Sequence, residues 1–243
     1  MTYALVTGGA KRLGLAICKH LSKMEYNIIL HYNQSEVEAN EAATIIRKNN
    51  VEVELFKADF SKLDEVKKLS EFCKQFQLSV VINNASAFKN DSMLSDDIGE
   101  SLTEHLMVNY ISRVVIIGEA KKSLQKGKKL DIINLLDYGV VKAPHNFFSY
   151  HLTNKIFHSF TQLGAKQLIP NVRINSIALG QTLKNDKQSD DAFDEARHLT
   201  PLGVSSTVEE LLKALDFILG VESLTGQIIF LDGGMHLSDN KYK

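Results

Sequence analysis

The chain has 243 residues, of which 44% are hydrophobic, enough to bury a substantial core in one domain. Its formal net charge of −1 at pH 7 excludes a broad electrostatic attraction to nucleic acid or to an anionic membrane surface. No apolar stretch approaches the length of a membrane span and no N-terminal segment resembles a signal peptide, so we expect a cytoplasmic protein without nucleic-acid or membrane partners.

Strand and helix patterns alternate from one end of the chain to the other. Short apolar runs predict strands over Tyr3–Val6, Asn27–His31, Val51–Lys57, Leu78–Ile82, Leu130–Leu136, Val172–Ala178 and Gln227–Leu231. Apolar residues at helical spacing predict helices over Leu15–Met24, Ser35–Lys48, Leu63–Phe76, Leu102–Leu124, Phe147–Leu168 and Val208–Leu219. This alternation predicts a single α/β domain over 1–243, with a doubly wound, parallel, seven-stranded, Rossmann-like sheet and helices on both faces.

The most polar stretch, Lys184–Glu195, lies between the sixth strand and the last helix. An insertion after a late strand lies at the carboxyl edge of a parallel sheet, where ligands bind in such folds. The segment at about 181–206 is therefore predicted either as a lid over substrate or as a solvated surface loop.

The first turn reads Thr-Gly-Gly-Ala-Lys-Arg-Leu-Gly from Thr7 to Gly14 and joins the first strand to the first helix. Glycines here let backbone N–H groups approach a phosphate and place the positive end of the helix beside it. The turn is not the GxGxxG fingerprint, because Ala10 and Leu13 stand where that spacing requires glycine. We interpret it as a dinucleotide site, with a tight turn of small residues as the alternative.

The second strand ends in His31-Tyr32-Asn33-Gln34-Ser35, with no acid before Glu36. An Asp or Glu about 20 residues past the turn normally holds the ribose 2′-hydroxyl of NAD and would repel a 2′-phosphate. Its absence favours NADPH over NADH. Donors available to the phosphate are Arg12, Asn33, Gln34 and Ser35. The alternative is that His31 and Tyr32 merely finish a strand.

Further motifs follow the turn in a particular order. They are Asp59 after the third strand, Asn83-Asn84-Ala85 after the fourth, Asn109 in a long helix, Tyr150 at the head of another, Asn175-Ser176 in the sixth strand, and Leu224-Thr225-Gly226-Gln227 with Asp232-Gly233-Gly234 near the end. In this order the motifs resemble the short-chain dehydrogenase/reductase family across nearly the whole chain.

The resemblance implies a role for several of these residues. Asp59 would lie near the adenine and Asn84 behind the cofactor. Asn109 would support a proton-relay water, and Tyr150 would be the proton donor. The expected NADPH-binding residues are Thr7, Gly8, Arg12, Leu13, Gly14, His31, Tyr32, Asn33, Ser35, Asp59, Phe60, Asn84, Ala85, Ser86, Asn154 and Gly180, and no metal site is expected.

Four details indicate a resemblance to one group within this family. The first is the turn with arginine at position 12, and the second is the sequence His31-Tyr32-Asn33-Gln34-Ser35 at the end of the second strand. The third is Ser86 with Phe88 after the fourth strand, and the fourth is Asp137, thirteen positions before Tyr150. Together they resemble the pteridine reductases, including the bacterial dihydromonapterin reductases. There the Phe stacks the pterin on the nicotinamide, the Ser approaches both, and the Asp replaces a catalytic Ser.

The residue types at these positions suit the reduction of a pterin. Reducing a C=N bond needs a hydride on carbon and a proton on nitrogen, and a phenol with a pKa near ~10 is a protonated donor at neutral pH. Asp137 can bind ring N–H and amino groups, and Phe88 suits a flat heterocycle. We therefore expect an NADPH-dependent reductase of a dihydropterin or dihydrofolate, with proton transfer by Asp137 and Tyr150.

The expected substrate contacts are Arg12, Ser86, Phe88, Asp137 and Tyr150. The alternatives are that Phe88 closes over the core and that Asp137 is a solvated or capping acid.

The chain departs from the family pattern Tyr-x-x-x-Lys at the position of the catalytic lysine. The fourth residue after Tyr150 is Asn154, and Lys155 comes one position later. One residue turns a helical side chain by about 100°, so Lys155 points away from Tyr150 unless a π-bulge restores it to the catalytic site. In the family this lysine holds the ribose hydroxyls and lowers the tyrosine pKa. Asn154 keeps a ribose hydrogen bond but carries no charge.

Two other functions stay open. A 3-oxoacyl-carrier-protein reductase shares the fold, although Asp137, Phe88 and the lack of an obvious basic patch for the carrier protein count against it. An NADP-binding protein of low activity would follow from Asn154 in place of the family lysine. The family is commonly tetrameric through its two long helices, which implies a homotetramer or homodimer here.

Overall fold

A computed structural model of the chain describes residues 2–142, 146–184 and 188–238. These residues form seven strands, namely β1 (Tyr3–Val6), β2 (Asn27–Tyr32), β3 (Val53–Lys57), β4 (Leu78–Asn83), β5 (Leu130–Asp137), β6 (Val172–Leu179) and β7 (Ile228–Leu231). All neighbours pair in parallel, in the order β3-β2-β1-β4-β5-β6-β7. The predicted seven-stranded, doubly wound parallel sheet is confirmed.

The helices that cover the sheet lie on both of its faces. They are α1 (Arg12–Lys23), α2 (Glu36–Arg47), α3 (Leu63–Cys73), α4 (Ile98–Leu106), α5 (Ser112–Ser123), α6 (Phe148–Leu168), α7 (Asp190–His198) and α8 (Val208–Gly220). The core on one face includes Ile17 of α1, Ile46 of α2 and Leu215 of α8. The core on the other face includes Leu69 of α3, Ile116 of α5 and Phe157 of α6. Because both faces are covered, the strands are apolar on both sides.

Two helices differ from the prediction. The helix expected over Leu102–Leu124 begins at Ile98 and contains a π-helical turn at Met107–Ile111, which separates α4 from α5. Helix α7 was not predicted, because none of its residues is buried and its sequence therefore lacks an apolar stripe. Its start is fixed by Ser189, whose hydroxyl oxygen accepts a hydrogen bond from the N–H of Ala192.

The parallel sheet gathers four connecting segments at one edge. The chain leaves β1 and β4 toward opposite sides of the sheet, and the crevice between such strands is where ligands bind in this architecture. The segments that follow β1, β4, β5 and β6 all start at this edge. Within the described ranges, no helix combines the length and the apolarity that a membrane crossing requires.

Candidate active site

The turn after β1 is shaped for close approach of backbone to ligand. Gly8 has a φ of +64°, and a Cβ on Gly14 would overlap the carbonyl oxygen of Gly8. The amide of Asn84 donates to the carbonyl oxygens of Thr7 and Gly8, at 2.9 and 3.0 Å. The hydroxyl oxygen of Thr7 accepts from the N–H groups of Asn84 and Ala85, at 2.9 and 3.0 Å. These bonds lock the turns after β1 and β4 together.

His31 supports this turn from behind. Its Nδ1 accepts from the N–H of Gly8 at 3.1 Å, and its Nε2 lies 3.0 Å from the carbonyl oxygen of Ala58. The ring stacks on Phe60 with centroids 4.0 Å apart. Burial lowers the pKa of His31 to about 4, so the ring is neutral and donates from Nε2. The side chains of His31 and Phe60, both expected at the cofactor, are buried, and His31 contacts the turn through the backbone N–H of Gly8.

A depression beside the turn suits a phosphate. It is lined by Gly8, Ala10, Lys11, Tyr32, Asn33, Gln34 and Ser35. None of these residues is acidic, and the nearby Glu38 is paired with Lys11. The residues therefore offer N–H, hydroxyl and amide donors that fit the adenosine 2′-phosphate of NADP, beside a lysine whose charge is balanced by Glu38.

Asp59 lies two positions after the end of β3 and is partly exposed. Its carboxylate accepts from the hydroxyl and the N–H of Ser61, at 2.7 and 2.9 Å. The hydroxyl bond is the main reason that the pKa of Asp59 is lower than usual, so the group is ionised at neutral pH.

The main cleft at the carboxyl edge has a volume of about 280 Å³. It brings together nine of the expected site residues, namely Arg12, Leu13, Asn84, Ser86, Phe88, Asp137, Tyr150, Asn154 and Gly180. Three further residues of its wall, Gln181, Thr182 and Leu183, belong to the segment at about 181–206 that was predicted either as a lid over substrate or as a solvated loop. Sequence reasoning did not select the remaining wall residues, which are Arg113, Leu135, Leu136, Tyr138 and Leu179. The five expected substrate contacts are all in the wall of this one cleft.

The pKa values of Asp137 and Tyr150 are both raised above their ordinary values. Burial, aided by the negative charge of Asp232, raises the pKa of Asp137 to about 6, although its carboxylate accepts from the N–H of Gly139 at 2.7 Å. Burial and the charge of Asp137 raise the pKa of Tyr150, while Arg113 and a hydrogen bond with Asn154 oppose the rise. The phenol is therefore protonated at neutral pH and stands ready as a donor.

One wall of the cleft is aromatic. The ring of Phe88 stacks on Phe147, with centroids 4.4 Å apart and planes 9° apart, and meets Tyr150 edge-on at 4.8 Å. Phe88 is 56% exposed and so offers area to a flat ligand. Phe147 was missed by sequence reasoning, and its only signal was its place three positions before Tyr150.

Asn109 lies in the π-helical turn and does not line the cleft. Its side-chain oxygen accepts from the N–H of Ala87 at 2.7 Å and from the hydroxyl of Ser86 at 3.2 Å. Its amide donates to the carbonyl oxygen of Ala87 and to the hydroxyl of Thr153. In this structure Asn109 therefore orders the loop that carries Ser86, and a contact with a relay water stays a prediction.

Lys155 does not enter the cleft, which corrects its selection as a catalytic candidate. Helix α6 is regular over Phe148–Leu168, and the π-helical turn lies in the preceding long helix instead. Asn154 lines the cleft, whereas the Lys155 ammonium donates to the carbonyl oxygen of Val140 at 3.3 Å. The reason is the turn of about 100° per residue, which puts consecutive helical residues on different faces.

Arg113 is the most informative residue that sequence reasoning missed. It lies on α5, is only 4% exposed and lines the cleft. Its guanidinium donates to the carbonyl oxygens of Leu135 and Ala85, at 3.2 and 3.0 Å, and lies over the ring of Phe157. The available signal was that Arg113 is the one charged residue in the mostly apolar stretch Val108–Ile117, since a helix that is buried on this side has little room for a charge.

The segment after β6 contributes to the cleft wall through Gln181, Thr182 and Leu183. The guanidinium of Arg12 bonds the carbonyl oxygens of Leu183 and Lys184, at 3.3 and 2.8 Å. Arg12 itself has a φ of +52°, which is unusual for a residue with a side chain. The start of the predicted 181–206 segment is thus tied across the cleft to the first turn.

The comparisons with known proteins agree with this architecture. A family model described as short chain dehydrogenase matches residues 2–195. The dihydromonapterin reductase of Escherichia coli (strain SMS-3-5 / SECEC) is 27% identical over 241 residues, which cover 96% of each chain. The dihydromonapterin reductase of Enterobacter sp. (strain 638) is 25% identical over 242 residues, again 96% of each chain.

Solved structures give the same picture. FolM alternative dihydrofolate reductase 1 from Brucella canis, crystallised with NADP, has a TM-score of 0.93 and 28% identity, covering 100% of this chain and 96% of that chain. The protein of the same description from Brucella suis, also with NADP, has a TM-score of 0.92 and 28% identity, covering 99% and 97%. The order of motifs, the sheet and the family model agree, and the chain belongs to the short-chain dehydrogenase family.

Proposed function

We propose that the protein is an NADPH-dependent reductase of a dihydropterin or dihydrofolate. The names of its relatives support this, because they are dihydromonapterin reductases and alternative dihydrofolate reductases, the latter crystallised with NADP. The observation that carries the proposal is that Asp137, Tyr150 and Phe88 line one cleft at the carboxyl edge of the sheet. This combination offers two proton-holding groups and an aromatic wall to a flat heterocycle.

Different residues bind the cofactor and supply the proton. When bound, NADPH supplies the hydride for the carbon of a C=N bond. The N–H groups of the turn between Thr7 and Gly14 hold the pyrophosphate, and Asn33 and Ser35 hold the 2′-phosphate. The phenol of Tyr150 holds the proton destined for the ring nitrogen.

The substrate ring is held by three kinds of contact. Phe88 covers one face of the heterocycle. Asp137 hydrogen-bonds ring N–H and amino groups, and with a pKa of about 6 it is available in both protonation states near neutral pH. Ser86 and Arg12 contact the ring from the loop after β4 and from the first turn.

Steady-state assays test the substrate class. NADPH oxidation is measured with a dihydropterin, with dihydrofolate and with an acetoacetyl thioester. Turnover of a pterin or of dihydrofolate is expected. Turnover of the thioester alone would replace the proposal with a 3-oxoacyl-carrier-protein reductase, and NADPH binding without turnover would favour a binding protein of low activity. A fluorescence titration in which NADH binds as tightly as NADPH would overturn the cofactor preference.

Tyr150→Phe tests the proton donor. Removing a positioned general acid costs about 10²–10⁴-fold, so we expect a loss of that order in kcat with little change in the Kd of NADPH. Tyr110→Phe is the matched control, because Tyr110 packs edge-on against Phe157 and Phe160 rather than in the cleft. An unchanged kcat in Tyr150→Phe would remove Tyr150 from this role.

We also propose that the protein is a homotetramer or homodimer, joined through α5 and α6. Leu163, which is 64% exposed, supports this by placing an apolar side chain on the outer surface of α6. Light scattering after gel filtration gives the mass directly. A monomeric mass would contradict the assembly without touching the proposed reaction.

A further inference from the structure

We propose that the buried guanidinium of Arg113 supplies the positive charge that stabilises Tyr150 as its phenol gives up a proton. This inference rests on the proposed function, in which Tyr150 is the donor. It assigns to a residue of α5 an electrostatic task that no residue of α6 performs, because position 154 is occupied by a neutral asparagine.

Tyr150 needs such a charge because its surroundings oppose ionisation. Donation of its proton leaves a phenolate in a partly buried position in the cleft wall, and both this burial and the nearby carboxylate of Asp137 raise its pKa. The hydroxyl of Tyr138, from the turn after β5, acts in the same direction. A hydrogen bond with Asn154 lowers the pKa, but an amide brings no net charge. His151, in ring contact with Tyr150, has a pKa lowered to about 4 by burial and is neutral.

The other cations near the cleft are committed elsewhere. Arg12 is exposed, and its guanidinium bonds the carbonyl oxygens after β6. The ammonium of Lys155 bonds the carbonyl oxygen of Val140 on a different face of α6. Arg113, by contrast, lines the same cleft as Tyr150 and is only 4% exposed. Solvent screens an exposed charge far more than a buried one, so the charge of Arg113 acts on Tyr150 with little screening.

The charge of Arg113 is not neutralised locally. Its two hydrogen bonds go to backbone carbonyl oxygens, and within the described part of the chain its Nε has no hydrogen-bond partner. Among the described residues it makes no ion pair with a carboxylate. An unpaired buried cation is costly, and burial lowers the pKa of Arg113 to about 10, which still leaves it charged at neutral pH. The coupling is mutual, because Tyr150 raises the pKa of Arg113 as Arg113 lowers that of Tyr150.

The first test needs no turnover. A fluorinated tyrosine at position 150, whose pKa lies in an accessible range, is titrated by its phenolate absorbance. In Arg113→Gln its pKa is expected to rise by about one unit or more, and Arg113→Lys is expected to restore most of the shift. Arg173→Gln is the matched control, since Arg173 also bonds backbone carbonyls but pairs with Asp131 near the opposite end of β6. An unchanged pKa in Arg113→Gln would overturn the inference.

The second test uses the rate. With dihydrofolate and NADPH, Arg113→Gln is expected to lower kcat about 10–100-fold and to shift the alkaline limb of the pH profile, with an unchanged Kd for NADPH. Equal rates in Arg113→Lys and Arg113→Gln would contradict an electrostatic role.

Two further provisions distinguish a failure of the proposed function, or of a variant to fold, from a failure of this inference. If the wild-type protein reduces no pterin or folate, the proposed function fails while the titration still decides the coupling. If Arg113→Gln does not fold, Arg113→Met replaces it, because methionine removes the charge and leaves no polar side chain in the buried position. An unchanged pKa of the tyrosine at position 150 in that variant would likewise count against the inference.

Discussion

The side-chain oxygen of Asn154 accepts a hydrogen bond from the backbone N–H of Asp137 across 3.1 Å. The amide nitrogen of the same side chain donates to the backbone carbonyl oxygen of Tyr150 at 2.9 Å. One buried amide thus joins the end of β5 to the first turn of α6 and sets the spacing of the two groups proposed to handle protons. A lysine has no acceptor and would lose the bond to Asp137.

We expect Asn154→Ala to lower the free energy of unfolding by about 1–3 kcal/mol, because it leaves a buried N–H without an acceptor. Urea unfolding followed by circular dichroism measures this change. Asn40→Ala is the control, since Asn40 bonds the carbonyl oxygen of Glu36 in the same helical geometry on an exposed surface. It should change stability by less than about 0.5 kcal/mol. Equal losses in the two variants would show that the link to Asp137 contributes nothing.

The raised pKa of Asp137 predicts a loss of stability with rising pH. Between about 4 and about 6 the folded chain keeps a proton that the unfolded chain has released, so unfolding is favoured as the pH rises through this window. Relative to Asp137→Asn, the wild-type protein should lose up to about 3 kcal/mol across it. Chemical unfolding of both proteins at a series of pH values measures the difference.

Asp59→Asn supplies a control of opposite sign. The pKa of Asp59 is lowered, chiefly by the hydroxyl of Ser61, so its stabilising effect is complete above about pH 4 and is lost as the pH falls further. The difference between wild type and this variant should therefore be flat from pH 4 to pH 7. A flat difference for Asp137→Asn as well would mean that its carboxyl is not perturbed.

His31→Phe isolates the two hydrogen bonds beneath the first turn. Phenylalanine retains the stacking on Phe60 but leaves the N–H of Gly8 and the carbonyl of Ala58 unpaired. We expect a loss of about 2–4 kcal/mol in unfolding free energy and weaker NADPH binding by about tenfold, because the turn loses its support. His20→Phe, which removes a surface pair with Asp216, should cost less than about 1 kcal/mol. Unaltered NADPH affinity in His31→Phe would disprove the link to the turn.

Arg12→Gln should loosen the segment after β6. The guanidinium holds the carbonyl oxygens of Leu183 and Lys184, so its removal favours local opening. Cleavage after Lys184 by a lysine-specific protease is expected to accelerate about threefold or more, as followed by mass spectrometry. Cleavage after Lys126, between α5 and β5, serves as the internal control and should keep its rate. If both sites respond alike, the effect is global unfolding instead.

Much of the fold was predictable because its signals are local. Apolar runs of strand length alternate with helical spacing, and parallel strands place their following segments at one edge. Asp137 is the last residue of β5 and Tyr150 lies in the first turn of α6, so their meeting in one cleft followed from the topology. The direction of Lys155 also followed from helical geometry, without any knowledge of packing.

The sequence by itself determined the sheet, the glycine turn and the set of residues at the carboxyl edge, because each depends on near neighbours in the chain. Only the tertiary structure decided that Arg113 reaches the cleft, that Phe147 backs Phe88, and that His31 works from beneath the turn. These contacts join segments far apart in sequence, and which side chains meet is set by how the helices pack on the sheet. Periodicity records which face is buried, but not what it is buried against.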